Sequence, residues 1–527
     1  MTSVFEFPKR MAIVAASIAA LFALQIAPVS AQSGDEEAPN TAPLPDFSSL
    51  NYEEAVRAFS QDGERWFEEP CVFGVPLLAR MQDLEPGLMP VQRAALLAQA
   101  FCADEEERYA DGAQIMRMYN ALDPAEADAG LTLYFANRTG DAGPVLDLFE
   151  MMRGEVLSDL DVQSFSLASQ IIAEAGRAEE LGAIALGWFE DNQIGFFNSD
   201  LHGTLAMRAL AQAGRENRGD MTDQLLVSII SPASYVRLLS NREYEIFWPK
   251  IAERAGSNLS DVGAEYVETT RRRLVNAPRD RDRFSAAAYA LHFNGDFEEA
   301  IALAQSWSER EERGLALEEG DAWALNIEAY AYDSLGQRDE ADAVFERLAA
   351  LDPEENNWVV NFVINRASRL VGHGRWEEGL AAAQLARSVP GSTYAEMIVA
   401  RDFACALRQL GRSDEAEAEL NFLRENSKTS VHIAAVGLLC HGLRDETAQM
   451  LSEGLGETAT RSSAIEALQI AEADLFYTQS MLPAPRALMD EYPELAAEYA
   501  KYARDLPADL IPRASTLRVR LDLPIWE

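Results

Sequence analysis

The sequence predicts an all-α protein, an α-solenoid (superhelix) built from stacked antiparallel helical hairpins. From Asn51 onward, apolar residues recur at intervals of three and four, as in NYEEAVRAF, which is the pattern of amphipathic helices. Glycines in short polar breaks recur every 36 to 42 residues, a period typical of repeated helix pairs that cover each other's apolar faces. Sustained alternation of apolar and polar residues, the pattern of strands, appears only near the C-terminus. The glycines of this series are Gly140, Gly176, Gly214, Gly256, Gly295, Gly336, Gly374 and Gly411.

The N-terminal residues 1–31 are predicted to be a secretory signal peptide. Lys9 and Arg10 precede an apolar run that ends at Ile26, and small residues up to Ala31 form a cleavage site. The alternative is an uncleaved membrane anchor, but the run falls short of the roughly 20 apolar residues that a membrane-spanning helix needs. We therefore expect cleavage after Ala31, a periplasmic or secreted protein, and no transmembrane segment in the mature chain.

Four further segments are predicted along the mature chain. Residues 32–48 hold three prolines and few large apolar side chains, which indicates a flexible leader. Residues 49–278 form a degenerate helical-repeat half, and residues 279–455 form clearer repeats. Residues 456–527 form a helical C-terminal cap and an extended tail.

The clearest repeat, from Ala322 to Pro353, reads AWALNIEAYAYDSLGQRDEADAVFERLAALDP and resembles a tetratricopeptide repeat (TPR). A small residue, Ala329, lies where this family packs its first helix closely, and Gly336 turns the chain. Ala341 allows the second helix to approach, Phe345 fills the interface, and Pro353 closes the unit.

Three neighbouring stretches match the same pattern, so the resemblance covers about Arg283 to Leu423. They are LHFNGDFEEAIALA, GHGRWEEGLAAA and LRQLGRSDEAEAEL. The repeats are longer than the family's roughly 34 residues, and upstream of Pro278 the match weakens to fragments.

The resemblance implies a groove, because in tetratricopeptide arrays the first helices of the repeats line a concave surface that binds partners. Aromatic, Asn and Arg side chains on that surface would suit an extended peptide. The groove positions carried over to this sequence are Ser285, Tyr289, His292, Trp323, Asn326, Tyr330, Asp333, Asn361, Arg401 and Arg408.

The four cysteines form two distant couples. Cys71 and Cys102 are 31 residues apart, and Cys405 and Cys440 are 35 residues apart, about one repeat in each case. Four cysteines permit three connectivities, and thiols on neighbouring repeats in an oxidising compartment are natural disulfide partners. We predict these two disulfides. The alternative for Cys440 is a zinc site with nearby histidines, but the spacing matches no familiar ligand pattern.

The chain is strongly acidic, with 86 Asp and Glu against 45 Lys and Arg and a formal charge of −41. The negative electrostatic field of such a chain repels phosphates, so we expect no nucleic-acid partner. The simplest interpretation is that the charge keeps a long helical surface soluble.

One basic stretch, TTRRRLVNAPRDRDRF, interrupts this acidic background between Thr269 and Phe284. Its arginines could hold an anionic ligand, or they could bridge acidic neighbouring helices. The sequence leaves both interpretations open.

No catalytic signature is present. Nucleophile elbows, phosphate-binding glycine loops, dinucleotide fingerprints and the HExxH zinc pattern are missing from the sequence. Acidic pairs such as Glu298 with Glu299 occur where acidic residues favour the N-terminus of a helix. We therefore expect a non-enzymatic protein with no cofactor and no metal.

The last residues, STLRVRLDLPIWE, alternate in the manner of a strand. This tail either folds back as a cap that hides Leu517, Val519, Leu521 and Trp526, or is a peptide presented to a partner. The cap is the favoured interpretation, because exposed apolar termini promote aggregation.

Two functional classes follow from these features. The first is a periplasmic scaffold that recognises a protein or peptide partner in the cell envelope through the groove. The second is a carbohydrate-binding or accessory subunit of a cell-wall or polysaccharide-processing enzyme, which predicts exposed aromatic side chains along the groove. The partner's identity and the oligomeric state are beyond the sequence.

Overall fold

The chain divides into two compact units, Met1–Leu201 and His202–Glu527. The structure, a computed structural model, describes residues 46–61, 65–152, 162–193, 199–306, 317–351, 356, 358–389, 391–476, 479–523 and 526. The predicted signal peptide and residues 32–45 of the predicted leader lie outside these residues. In the described part, no helix combines the length and the apolar character that crossing a membrane requires.

The first unit consists of helices that pack neighbour to neighbour around an aromatic and aliphatic core, which includes the fully buried Trp66 and Phe135. The disulfide Cys71–Cys102 joins a short π-helix, Pro70–Gly74, to the 17-residue helix Met89–Glu105, and it confirms the first predicted pair. The helices of this unit are α1 (Tyr52–Gln61), α2 (Arg65–Glu68), α3 (Val75–Leu84), α4 (Met89–Glu105), α5 (Tyr109–Leu122), α6 (Ala129–Thr139), α7 (Gly143–Met151), α8 (Val162–Glu174) and α9 (Ala178–Glu190).

The second unit begins with less regular helices, and α10 starts just before the division between the units. The helices before the clear repeats are α10 (Ser199–Arg215), α11 (Thr222–Val227), α12 (Pro232–Ser240), α13 (Trp248–Ala255) and α14 (Ser260–Asn276).

Five antiparallel hairpins follow, each made of a first helix and a second helix. The pairs are α15 (Arg281–Asn294) with α16 (Phe297–Gln305), α17 (Glu319–Ser334) with α18 (Arg338–Ala349), α19 (Val359–Gly372) with α20 (Trp376–Arg387), α21 (Thr393–Gln409) with α22 (Glu417–Glu425), and α23 (Val431–Cys440) with α24 (Arg444–Gly456).

The turn inside each hairpin contains a glycine with positive φ, as at Gly336, where φ is 76°. This left-handed conformation ends the first helix, and only glycine adopts it without steric cost. The hairpin turn at Gly442 (φ 71°) extends the predicted series by one repeat. The prediction for Gly214 is wrong: this glycine lies inside α10, and Asn217 (φ 57°) takes the left-handed position after it, as asparagine can.

The packing of the clearest repeat agrees with the resemblance. Ala329 on α17 and Ala341 on α18 are fully buried, so the two helices approach closely, and Phe345 fills the space between them. Pro353, which is expected to close the unit, lies outside the described residues. The all-helical solenoid predicted from the sequence is confirmed: in the described part the helices pack neighbour to neighbour, and no strands form.

Buried ion pairs tie neighbouring first helices together. Arg369 on α19 donates two hydrogen bonds to the Asp333 carboxylate on α17, at 2.5 and 2.7 Å, and a further one to Asp342 on α18. The side chains of Arg369 and Asp333 are only 2% and 4% exposed. Burial raises the pKa of Asp333, although the guanidinium of Arg369 opposes this effect.

The second predicted disulfide, Cys405–Cys440, is also confirmed and joins α21 to α23, the first helices of adjacent repeats. Both cysteines are buried. Because the sulfur of Cys440 is bonded to Cys405, it is not a thiolate that could bind zinc.

The chain then returns on itself through what we call the C-terminal segment, residues 469–476 and 479–523. It follows α25 (Arg461–Leu468) and includes α26 (Leu488–Glu491), α27 (Pro493–Tyr502) and α28 (Arg513–Leu517). Leu495 and Tyr499 of α27 pack on the last hairpin, where Leu451 and Leu455 lie in the same cluster. This part of the segment caps the array.

Beyond α27, the C-terminal segment reaches the beginning of the second unit. Arg504 donates from its backbone N to Ser240 O (2.8 Å), and its guanidinium carbon lies 3.4 Å from the centroid of the Trp248 ring. An antiparallel bridge joins Asn241 to Ala503, and Asn258 donates to Ile511 O at 2.9 Å. The two ends of this unit are therefore joined.

The C-terminal segment finally runs along the ends of three first helices. The last residues of α15, α17 and α19 are Asn294, Ser334 and Gly372. Their carbonyls accept hydrogen bonds from Arg513 Nη1, Val519 N (2.8 Å) and Met481 N (2.9 Å), respectively. These carbonyls have no partner within their own helices, so the segment satisfies them.

The described part of the tail does not form the strand that its alternation predicts. Residues 519–523 are irregular, and Leu521 N donates to the side chain of Gln479. Leu517 and Val519 each remain 47% exposed, so the tail hides these two side chains only in part.

Candidate functional site

The first helices carry the residues that the sequence assigns to a groove, and three of them are buried. His292, Asn326 and Asp333 are 1%, 1% and 5% exposed. Asn326 accepts a hydrogen bond from Asn365 on α19, and Asp333 is held by Arg369. In this structure these three side chains support the surface rather than line it, which corrects the sequence-based assignment.

His292 lies beneath the C-terminal segment, next to Leu475 and Arg518. Burial lowers the pKa of this histidine to about 3, and the nearby guanidinium of Arg518 adds to the effect. The ring is therefore neutral at physiological pH. It packs against the aromatic side chains of Phe297 (5.4 Å between ring centroids) and Tyr330 (6.4 Å).

The C-terminal segment covers part of the predicted groove on α15. Leu475, 2% exposed, inserts into the core of the first hairpins, and Phe476 packs edge-on against the Tyr289 ring at 5.7 Å. Arg518 fixes this arrangement, since its guanidinium donates to the carbonyls of Asp474 (3.0 Å) and Leu475. The chain itself thus occupies surface that the resemblance assigns to a partner.

Other predicted groove residues are half-buried or exposed and contact their neighbours. Ser285 donates to Asp282 O at 3.0 Å, and the Trp323 ring packs edge-on against Phe362 at 4.9 Å. Arg408 is exposed, with a 3.4 Å hydrogen bond to Ser413.

Arg401 on α21 is half-buried and binds the fully buried carboxylate of Asp402 at 2.7 and 2.9 Å. Asp402 also accepts a hydrogen bond from Ser368 on α19, at 2.6 Å. Burial raises the pKa of Asp402, and its arginine and serine partners oppose the shift. This cluster links α19 to α21 beneath the groove surface.

The first helices α19, α21 and α23 present side chains that the C-terminal segment leaves accessible. Asn361 and His432 are partly exposed, and Tyr394 is 52% exposed. The pKa of Tyr394 is nevertheless raised, first by the protein atoms around it and then by the charge of Glu466. We call this accessible surface of α19, α21 and α23 the open face.

Sequence reasoning missed His432 for an identifiable reason. Ten residues separate Asn326 from Gly336 and Arg401 from Gly411, and the same offset leads from Gly442 back to His432. Counting Gly442 among the turns would have found it. Tyr394 lies seven residues before Arg401, two helical turns away on the same face.

Another candidate residue, Asp474, comes from the C-terminal segment, and no local signal identifies it. Asp474 accepts a hydrogen bond from Phe476 N at 2.8 Å. Its charge raises the pKa of Tyr394 and that of Tyr330, so it lies within electrostatic range of both phenols.

The basic stretch makes intramolecular ion pairs. Arg271 binds Glu299, and Arg281 contacts Glu318 (3.6 Å) and Asp321 (3.2 Å). These contacts favour the bridging interpretation of the stretch over an anion site.

A separate cleft of about 470 Å³ lies between α23 and the C-terminal segment, with Leu439, Met481, Leu521 and Trp526 in its wall. Asn361, Tyr394 and His432 are not among the residues that line it. Its rim residue Arg444 is bound to Glu491. Elsewhere in the described part, Cys71, Cys102 and Glu106 meet within 4.8 Å, but both sulfurs belong to the disulfide.

Comparison with known proteins agrees with the repeat architecture. A family model described as tetratricopeptide repeat matches residues 324–355, which include most of α17 and all of α18. No curated protein matches the chain in a sequence comparison. Together with the all-helical fold, the match identifies a TPR-like helical-repeat architecture, a type of repeat that is typical of protein interaction scaffolds.

Proposed function

We propose that this TPR-like helical-repeat protein is an exported, non-enzymatic scaffold that binds a protein or peptide partner in the cell envelope through its open face. The observation that carries the proposal is the open face itself, where Asn361, Tyr394 and His432 are accessible on three consecutive first helices. Amide, phenol and imidazole groups, one on each of three successive first helices, suit an extended peptide, because they combine hydrogen bonding with aromatic contact area.

The rigidity of the repeats supports this proposal. The disulfide Cys405–Cys440 and the cluster of Arg401, Asp402 and Ser368 hold the first helices in fixed register beneath the open face. A preorganised surface loses little conformational entropy when it binds, which favours affinity for an extended ligand.

Export is the second part of the proposal. Two disulfides and the lack of a membrane-spanning helix among the described residues are compatible with an extracellular compartment. The sequence pattern of residues 1–31 is typical of a secretory signal peptide, which would direct the export. Intact mass of the protein from its native envelope should correspond to a chain that starts at Gln32, and a mass that includes residues 1–31 would contradict cleavage.

The binding proposal is tested by affinity capture from the native envelope with the mature chain as bait. We expect a protein captured by the wild type to be lost with the double variant Asn361→Ala/Tyr394→Ala. The control is Leu385→Ala, which removes a side chain of 47% exposure from the second helix α20. Circular dichroism checks that both variants are folded.

Capture that is equal for the open-face variant and the control would contradict the assignment of the surface. Capture of cell-wall glycan in place of protein would instead favour the carbohydrate-binding class.

A further inference from the structure

The cleft between α23 and the C-terminal segment has the size of a small-molecule binding site. Its volume of about 470 Å³ lies within the range of about 300–1,000 Å³ that such sites occupy. Most of its wall comes from Leu439 of α23, Leu488 of α26, residues 479–484, and the end of the chain at Leu521 and Trp526. The cleft is therefore built by the fold and not by the face of one helix.

The repeats hold the aromatic and aliphatic part of this wall in place. Trp526 packs edge-on against Trp376 of α20, with 5.6 Å between the ring centroids. Leu482 and Trp526 both pack on the buried cluster that contains the disulfide Cys405–Cys440. A wall that is fixed in this way loses little conformational entropy when a ligand binds, which favours affinity.

The described wall of the cleft has no charge that is free to pair with a charged ligand. Its thirteen described lining residues include no Asp, Glu, Lys or His and a single Arg, although 25% of the chain is charged. That residue, Arg444, donates to the Glu491 carboxylate from Nε at 2.8 Å and also from Nη2. A charged group of a ligand would lose water here without gaining a counter-ion, which is costly. The lining therefore favours uncharged ligands.

Several hydrogen-bond donors of the wall are already used. The backbone N–H groups of Met481, Leu482 and Leu521 donate to other groups of the protein at 2.9, 3.1 and 2.5 Å. Pro483 has no N–H to offer. In contrast, no hydrogen bond between described residues reaches the carbonyl oxygens of Ser480, Met481 or Leu521. The wall thus offers acceptors, and a ligand with a donor of its own can satisfy them.

We propose that this cleft is a second binding site, and that it takes an uncharged small molecule with an apolar body and a hydrogen-bond donor. The apolar body leaves water when it packs against Leu439, Met481 and Trp526, and the donor binds a carbonyl oxygen of the wall. None of the open-face residues named above lines the cleft, so the site goes beyond the proposed function and does not depend on it.

The test is a fluorescence titration of the mature chain with two probes that share one ring system. N-phenyl-1-naphthylamine is uncharged and has an N–H donor, whereas 1-anilinonaphthalene-8-sulfonate has the same rings and an added sulfonate. We expect the uncharged probe to saturate at about one molecule per chain. The sulfonate should bind at least roughly tenfold more weakly, because its charge is desolvated without a partner.

Two matched pairs of variants locate the bound probe. Ala484→Phe places a ring in the wall and should weaken binding at least roughly tenfold, whereas Ala343→Phe, an exposed change on α18, should leave it within about twofold. Leu521→Asp puts a charge into the wall and should also weaken binding. Val519→Asp, two residues away and outside the lining, should not. Circular dichroism checks that all four variants are folded.

Equal affinity for the two probes would overturn the assignment of an uncharged ligand. Equal effects within either pair of variants would overturn the cleft as the site, and so would failure of the uncharged probe to bind. Displacement of the probe by the blocked peptide Gly-Leu-Gly-Leu-Gly but not by 1-octanol would overturn the small-molecule class in favour of a protein segment. The open-face variant Asn361→Ala/Tyr394→Ala should leave probe binding unchanged, so loss of a captured partner and loss of probe binding are separate results.

Discussion

The buried ion pair between α17 and α19 predicts a large and local loss of stability on replacing Arg369 with Met. The change leaves the Asp333 carboxylate, 4% exposed, without its cation, whereas Asp342 keeps a second partner in Arg375. Leaving a buried charge unpaired costs about 3–5 kcal/mol. That cost should exceed the value of the intact pair, because most of it is the desolvation of Asp333.

Hydrogen exchange followed by mass spectrometry is the appropriate assay, because a repeat array opens locally and a single midpoint would average the repeats. A loss of about 3–5 kcal/mol corresponds to exchange that is roughly 100- to 5,000-fold faster in α17 and α19. Arg412→Ala is the control: Arg412 pairs with Glu415, but the two side chains are 47% and 56% exposed. This change should leave the exchange rates nearly unchanged, because an ion pair between exposed side chains contributes little to stability.

A double variant, Arg369→Met with Asp333→Leu, separates desolvation from packing. Replacing both charges with apolar groups should recover most of the lost stability, since no buried carboxylate then remains. The reasoning is refuted if Arg369→Met speeds exchange no more than the control, or if the double variant is less stable than the single one.

Further predictions concern other parts of the structure. His292 has a pKa near 3 when folded and about 6.5 when unfolded, so the unfolded chain binds more protons in that interval, and stability must fall as pH drops through it. At pH 5 the free energy of unfolding is therefore lower by about 2 kcal/mol. Urea unfolding at pH 7.5 and at pH 5 should show a smaller decrease in this free energy for His292→Leu than for the wild type. An equal decrease in the two proteins would contradict the low pKa of His292. Gly320→Ala should destabilise α17, because the added Cβ would lie 2.7 Å from backbone atoms of Arg281, the first residue of α15. In contrast, Gly187→Ala should stabilise α9 by about 0.5–1 kcal/mol, because the added Cβ would have no atom within 4 Å. Hydrogen exchange should become faster in α17 for Gly320→Ala and slower in α9 for Gly187→Ala. A change of the same sign in both helices would rule out the steric explanation. Replacing Cys405 and Cys440 by alanine should cost about 2–4 kcal/mol in α21 and α23, and the effect should match that of dithiothreitol on this region of the wild type.

The repeat architecture could be predicted from the sequence because its determinants are local. A turn glycine such as Gly336 and small interface residues such as Ala341 act within one hairpin, and their spacing is visible in the chain. The failure at Gly214 is equally local, since Asn217, three residues later in the chain, takes the left-handed backbone conformation without a glycine. Position alone did not reveal which residue ends the helix.

The candidate site could be predicted only in part. The offset from the turn glycine assigns Arg401 to the proposed groove, but it does not reveal that the side chain turns onto Asp402. Asp474 and Phe476 were beyond prediction, because their position depends on where the C-terminal segment crosses the repeats. Burial of His292 under that segment has the same origin. Contacts between residues nearly 200 positions apart leave no periodic trace in a sequence.

The joining of Ser240 with Arg504 and of Asn258 with Ile511 gives the second unit a property that open solenoids lack. An open array can gain or lose a hairpin during evolution, since each hairpin contacts only its neighbours. Here an inserted or deleted hairpin would move one partner of every closing contact away from the other. The number of hairpins is therefore fixed by the closure. The closing contacts of the unit likewise form only after Ile511 has been synthesised, because they join residues more than 250 positions apart.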